Sequence, residues 1–186
     1  PRGGARPGDR VYVSGRLGGA ALGLALRLGQ HRSEAWPVPE AAAAAALARY
    51  LRPEPRLGLG AALRAYATAA MDISDGLVKD LDRMCRLSST GAELEWSAVP
   101  LAAGVQTLEA VDRAAGIRLA MAGDDYDILA TVHPESAASF ETAARRGGVA
   151  VSRIGHVVAD AGVRLFDPTG GIIDPGTTGY DHFDAN

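Results

Sequence analysis

The chain has 186 residues, of which 47% are hydrophobic and 22% charged, a balance that suits one core-filling domain, or one with a small appendage. Its net charge of −3 leaves no basic footprint for nucleic acid. No apolar run reaches the length that spans a bilayer, and no signal peptide is evident, so no membrane partner is expected.

In chain order, "GDRVYVSG" (8–15) alternates apolar and polar residues between glycines, the pattern of a strand. Leu22, Ala25, Leu26 and Gly29 then fall at helical spacing, with Gly29 placed to end the helix. A proline-rich break over 31–40 precedes an alanine run, 41–46, that predicts a second helix because alanine is the best helix former. "AALRAYATAA" (61–70) reads as a third helix. The chain is then expected to extend through Met71–Ile73 and to start a helix near Ser74. Beyond it "GAELEWSAVPL" predicts a strand running into a proline turn, and "VQTLEAVDRAAG" a helix. "DDYDILATVHP" reads as a strand after a tight turn at Gly123, and "ESAASFETAARRGG" as a capped amphipathic helix. "VSRIGHVVA", "GVRLFD" and "GGIID" complete the chain as short strands. Such alternation predicts an α/β or α+β layered domain, a mixed sheet flanked by helices. Cys85 stands alone, which fits a reducing cytoplasm, and its helical neighbours Leu81 and Met84 mark it as a small buried hydrophobe. The chain opens at Pro1 rather than at methionine, and a piece of a longer protein is expected.

Four stretches carry candidate chemistry. "MDISDGLVKDL" sets Asp72, Ser74 and Asp75 where a strand gives way to a helix. A helix mouth presents free N–H groups to phosphate oxygens, and two carboxylates beside them suit Mg²⁺, a hard ion that prefers oxygen. The plain alternative is an ordinary N-cap, with Asp80 and Asp82 as solvated surface acids. In "AGDDYDIL", Asp124, Asp125 and Asp127 crowd a glycine turn and need either a neutralising cation or simple exposure. Arg2, ahead of the first strand, is either a phosphate contact or an exposed side chain. Near the end, "TTGYDHF" holds Tyr180, whose ring suits a cationic heterocycle or else closes a hydrophobic clasp. The histidines lack metal-ligand spacing, and no serine or cysteine nucleophile is signalled.

In combination and in order, these stretches resemble the thiamine-monophosphate kinase family of the aminoimidazole-ribonucleotide-synthetase-like superfamily. The matching pieces are "RGGARPGDRVYVSGRLGGAALGL", "RPEPR", "MDISDGLVKDL", "GAELE", "AGDDYDIL", "RIGHVV" and the closing "GYDHF", which together cover almost the whole chain. The ending is what selects this family among related ATP-using synthetases. The resemblance implies that 1–186 form the C-terminal domain of a two-domain kinase whose N-terminal ATP/Mg-binding domain is absent from this chain. It implies ATP-dependent phosphorylation of thiamine monophosphate to thiamine diphosphate with Mg²⁺, in a cytoplasmic enzyme that is a homodimer at full length. The isolated chain would be inactive, since the family builds its site from both domains.

Carried over by position, Asp72 and Asp75 would be Mg²⁺ ligands, Arg2 and Ser74 ATP contacts, and Asp124 and Tyr180 substrate contacts. No catalytic side chain is implied beyond metal and phosphate positioning. The chain departs from the family at Ala122, where a glycine is usual, at Asp124 in place of glutamate, and at Tyr180 in place of tryptophan. Two other readings are a superfamily synthetase with a different substrate and a non-catalytic domain that binds a nucleotide or a partner.

Overall fold

The computed structural model describes residues 1–30 and 36–174. Along the chain run β1 (Arg10–Ser14), α1 (Gly19–Arg27), α2 (Glu40–Leu51), α3 (Gly60–Tyr66), β2 (Ala67–Asp72), α4 (Leu77–Ser88) and β3 (Gly91–Glu95). They are followed by α5 (Ala103–Glu109), α6 (Arg113–Met121), β4 (Ile128–Val132), α7 (Ala137–Arg146), β5 (Val151–Val158), β6 (Gly162–Phe166) and β7 (Ile172–Ile173). The strands form one seven-stranded sheet in the order β2-β4-β1-β5-β3-β6-β7. All pairings are antiparallel except β3 with β6. The expected mixed, helix-flanked sheet is therefore what forms.

Strand alternation builds two cores. Val11, Val13 and Leu129 face one way and join Leu22, Leu77, Leu81, Met84 and Met121 under α1, α4 and α6. Tyr12, Ala130 and Val132 face the other way, against Leu59, Ala62, Phe140 and Ala144 of the α3 and α7 side. Residues of opposite parity reach opposite faces, so β1 and β4 are covered on both. The rings of Tyr12 and Phe140 lie 5.1 Å apart, and the Tyr12 hydroxyl donates to Glu141 at 2.6 Å. Helix α4 shows why its sequence is legible: Leu77, Leu81, Met84 and Cys85 are buried at the spacing of a single stripe. Burial pushes the Cys85 thiol up, as befits the inert hydrophobe expected there.

Four expectations need correction. The helix read over 61–70 stops at Tyr66, and Ala67–Asp72 become an edge strand on β4. Alanine accepts either state, and the ladder decides. The helix read over 105–116 is two helices, because Asp112 leaves helical geometry and accepts from the Ala115 N–H at 2.9 Å, starting α6 afresh. Finally, α4 begins at Leu77 behind Gly76, not near Ser74, and Asp124–Asp127 precede β4 rather than belonging to it.

The topology gathers the loops. Strands β1 and β2 are both antiparallel to β4; β3 opposes β5, which opposes β1; β6 parallels β3. The C-terminal ends of β1, β2, β3 and β6 therefore meet the starts of β4 and β5 at one end of the sheet. The acid-rich stretches after β2 and before β4 are neighbours there.

Candidate functional site

Three backbone hydrogen bonds zip these two loops together: Ile73 N–H to the Asp127 carbonyl at 2.8 Å, Tyr126 N–H to Ile73 at 3.0 Å, and Asp124 N–H to Ser74 at 3.0 Å. Gly76 and Gly123 permit the approach. A Cβ on Gly76 would run into the Met121 carbonyl oxygen, and one on Gly123 would lie 2.5 Å from the Ser74 carbonyl oxygen. Both have φ beyond what other residues tolerate, at 120° and 98°. Asp124 and Tyr126 also sit in the left-handed region, at φ 61° and 51°, so the chain pays local strain to present this turn.

The zip brings together Asp72, Ser74 and Asp75 on one loop and Asp124 on the other. Arg2 reaches the same place, with Nη2 3.9 Å from Asp72 Oδ1 and both side chains about half exposed. Asp75 Oδ2 accepts from Arg83 Nη2 at 2.9 Å. Asp124 is exposed on its turn. Of the site residues expected from sequence, Arg2, Asp72, Ser74, Asp75 and Asp124 thus lie at one end of the sheet, while Tyr180, with "GYDHF", lies outside the described residues. Beside Asp72 opens a cleft of about 610 Å³ whose walls include Arg56, Arg64, Leu63, Tyr126 and Ile128.

Ser74 is not the helix cap. Gly76 holds that position with no side-chain cap, and Asp80 instead ties down the loop before the helix: its Oδ2 accepts from the N–H groups of both Ser74 and Asp75 at 2.9 Å, and its Oδ1 accepts from Arg83 Nη1 at 2.9 Å. Side chains on a helix lean toward its N-terminus, which is how a residue one turn inside reaches the loop before it. Asp80 is fully buried, a correction to its reading as a solvated acid. Burial pushes its pKa up, and the two N–H groups pull against that rise. Asp82, two residues on, is half-buried and pairs with the exposed Arg86 at 2.7 Å.

The second acid cluster also divides. Asp125 is buried and caps α1 from a distance, accepting from the N–H groups of Gly18 at 2.6 Å and Ala20 at 3.1 Å. Desolvation raises its pKa to about 6, against the pull of those two donors. Asp127 is fully buried, and its carboxylate binds Arg56 Nε at 2.6 Å, Arg49 Nη2 at 2.6 Å and the Ser14 hydroxyl at 2.7 Å. Asp127 in turn raises the pKa of Arg56 through that hydrogen bond. The neutralising cations expected at this turn are therefore two arginines and a helix end inside the domain. Sequence reading missed Arg49, Arg56, Asp80 and Asp127 as a group. The only signal for Arg56 was its place in "RPEPR". The two arginines line a second cleft of about 480 Å³ with Arg16, Gly15 and Gly19.

Comparison with known proteins follows the same lines. The family model for AIR synthase related protein, C-terminal domain, matches residues 6–168. Thiamine-monophosphate kinase of Caulobacter vibrioides is 38% identical over 97% of this chain and 50% of its own length. That of Salmonella typhimurium is 36% identical over 98% of this chain and 54% of its own length. The chain spans about half the length of the curated relatives it matches. Among solved structures, AaThiL complexed with AMPPCP and TMP superposes with a TM-score of 0.77 at 31% identity, over 98% of this chain and 53% of that one. Hydrogenase maturation protein HypE of E. coli, at 20% identity and TM-score 0.70, shares the fold. The domain fold, the paired acid loops and the match over 6–168 agree: this chain belongs to the family of AIR synthase related protein C-terminal domains.

Proposed function

We propose that residues 1–186 are the C-terminal domain of an ATP-dependent thiamine-monophosphate kinase, which moves the terminal phosphoryl group of ATP onto the phosphate of thiamine monophosphate, giving thiamine diphosphate and ADP. The observation that carries this reading is the 0.77 superposition, over 98% of the chain, on AaThiL complexed with AMPPCP and TMP. The convergence of Arg2, Asp72, Ser74, Asp75 and Asp124 at one end of the sheet supports it.

Asp72 and Asp75 would hold Mg²⁺. Among the described residues no three His, Cys, Asp or Glu side chains gather as a complete cage. Two partly exposed carboxylates still fit Mg²⁺, which is commonly held by one or two carboxylates together with substrate phosphates and water. Bound there, the ion would neutralise phosphate charge as the phosphoryl group moves. Arg2 adds positive charge beside Asp72, Ser74 offers its hydroxyl to ATP, and Asp124 faces the substrate from a strained, fixed turn. Tyr180 belongs to the same reading from sequence alone, its ring stacking on the thiazolium cation. The full-length enzyme works in the cytoplasm as a homodimer, and its N-terminal half completes the site.

Steady-state kinetics of the full-length protein test this. Asp75→Asn should remove most thiamine diphosphate production while circular dichroism stays unchanged; near-normal rates at ordinary Mg²⁺ would reduce Asp75 to a structural acid. Residues 1–186 alone should show no useful turnover, and robust production by them would sink the two-domain site. Tyr180→Ala should raise the Michaelis constant for thiamine monophosphate roughly 2- to 30-fold and leave that for ATP almost unmoved, following a cation–π contact of about 0.5–2 kcal/mol.

A further inference from the structure

A buried acid that accepts hydrogen bonds from two consecutive backbone N–H groups fixes the path of the chain at that point. Asp80 does this for Ser74 and Asp75, and among the described residues no other side chain is bonded to those two N–H groups. Its remaining oxygen holds Arg83, whose other terminal nitrogen holds Asp75 Oδ2. Asp75 is thus steadied twice by one residue, through its backbone and through its carboxylate, with Oδ1 free of that arginine. The loop is rigid on its other side too, where Gly123 packs against it and Asp124 N–H bonds the Ser74 carbonyl.

We infer that Asp80 is a positioning residue for divalent-cation binding: it sets the Ser74–Asp75 backbone and the Asp75 carboxylate in the geometry that receives the ion. The inference rests on the proposed role of Asp75 as a ligand. Partners that orient a ligating carboxylate commonly control metal affinity by 10- to 100-fold, roughly as strongly as a lost ligand in weaker sites. Asp80→Asn keeps the size of the side chain and an oxygen for the two N–H donors, but removes the charge and turns an amide toward Arg83, which loosens the guanidinium that holds Asp75.

The test uses Mn²⁺ as the probe, followed by electron paramagnetic resonance in the full-length protein with a non-hydrolysable ATP analogue. Asp80→Asn should weaken Mn²⁺ binding by roughly tenfold or more, while thiamine monophosphate affinity stays within about twofold, a split that general loosening of the fold would not give. Asp82→Asn, on the same helix, should leave Mn²⁺ binding unchanged. Asp75→Asn separates the two levels of the argument. If it leaves Mn²⁺ binding intact, the metal assignment falls and this inference with it. If it weakens Mn²⁺ but Asp80→Asn does not, the positioning role alone is overturned. Should Asp80→Asn fail to fold, the wild-type protein decides by nuclear magnetic resonance. The Ser74 and Asp75 amides should resist hydrogen exchange and broaden at substoichiometric Mn²⁺, and fast exchange or no broadening overturns the inference.

Discussion

The loop after β2 and the loop before β4 look alike in sequence, each a run of aspartates around a glycine, yet they hold their buried acids by different means. In the first, Asp80 is satisfied by near neighbours in sequence, Ser74, Asp75 and Arg83. In the second, Asp125 and Asp127 depend on Gly18, Ala20, Ser14, Arg49 and Arg56, all more than 70 residues away in sequence. Both loops send one set of acids outward, Asp72, Asp75 and Asp124, and keep another inside. The first loop is a local device that α4 carries with it. The second is the point where α1, α2 and the segment before α3 are tied to the sheet, so its geometry exists only in the finished domain.

The largest effect should follow from cutting that tie. Asp127→Ala removes the buried carboxylate between two guanidinium groups, leaving them the Asp125 carbonyl and the exposed Glu54, and breaking such a pair costs about 3–5 kcal/mol. Urea melts of wild type and variant measure it. A loss below about 1 kcal/mol would mean that Arg49 and Arg56 simply turn to solvent, and that the second loop is no keystone.

Next comes the pH dependence of Asp125. Its folded pKa of about 6 lies above the ordinary value of 3.8, so the native state binds the proton more tightly than the unfolded chain. Its contribution is therefore fully present below about pH 4 and is lost as pH rises through 6. That difference is worth about 3 kcal/mol. Asp125→Asn has no such titration, so the stability gap between wild type and variant should shift by that amount between pH 4 and pH 7, against the wild type. Melts at the two pH values check it, and a constant gap would show that Asp125 keeps an ordinary pKa. The raised pKa of Asp80 acts in the same direction and is unaffected by this substitution.

These partners explain what the sequence did and did not disclose. The place of Asp72, Ser74 and Asp75 between a strand and a helix was legible because it is local: a strand end, a glycine and a helix stripe within a dozen residues. The stripe of α4 itself was legible for the same reason. Asp80 had the local information but was misread, because a polar residue one turn into an amphipathic helix reads as surface until its depth is known. Arg49 and Arg56 had no signal in the spacing of residues, since the Asp127 carboxylate that gives them a purpose lies 78 and 71 positions away. The helix-to-strand change at Tyr66–Ala67 was hidden in the same manner, by a partner strand that arrives sixty residues later in the chain.

The comparison also predicts a contrast inside α4. Asp80→Asn should cost about 1–3 kcal/mol, because a buried charged acceptor loses one of its three donors and an amide faces Arg83. The second loop's acids should cost more, since more elements hang on each. If Asp80→Asn proved as costly as Asp127→Ala, the first loop would not be the local device described.

Asp82→Asn is the smallest and the sharpest of these tests. Asp82 sits two residues beyond Asp80, in the same helix and with the same charge, and it also has an arginine, Arg86, four positions on at 2.7 Å. What differs is depth: the Asp82 side chain is 28% exposed and that of Arg86 80%, against 0% for Asp80, so water screens the outer pair more. Exposed i,i+4 pairs contribute about 0.3–0.5 kcal/mol, and the salt dependence should be visible even in so small a value. Melts in low and high salt should therefore place Asp82→Asn within about 0.5 kcal/mol of wild type, closer still at high salt. Asp80→Asn should keep more of its cost at high salt, because the partner it loses, Arg83, meets a fully buried carboxylate, where salt screens less. If the two substitutions behaved alike, the charge of the helix face would be what matters, and the division between inward and outward acids would carry no energetic meaning.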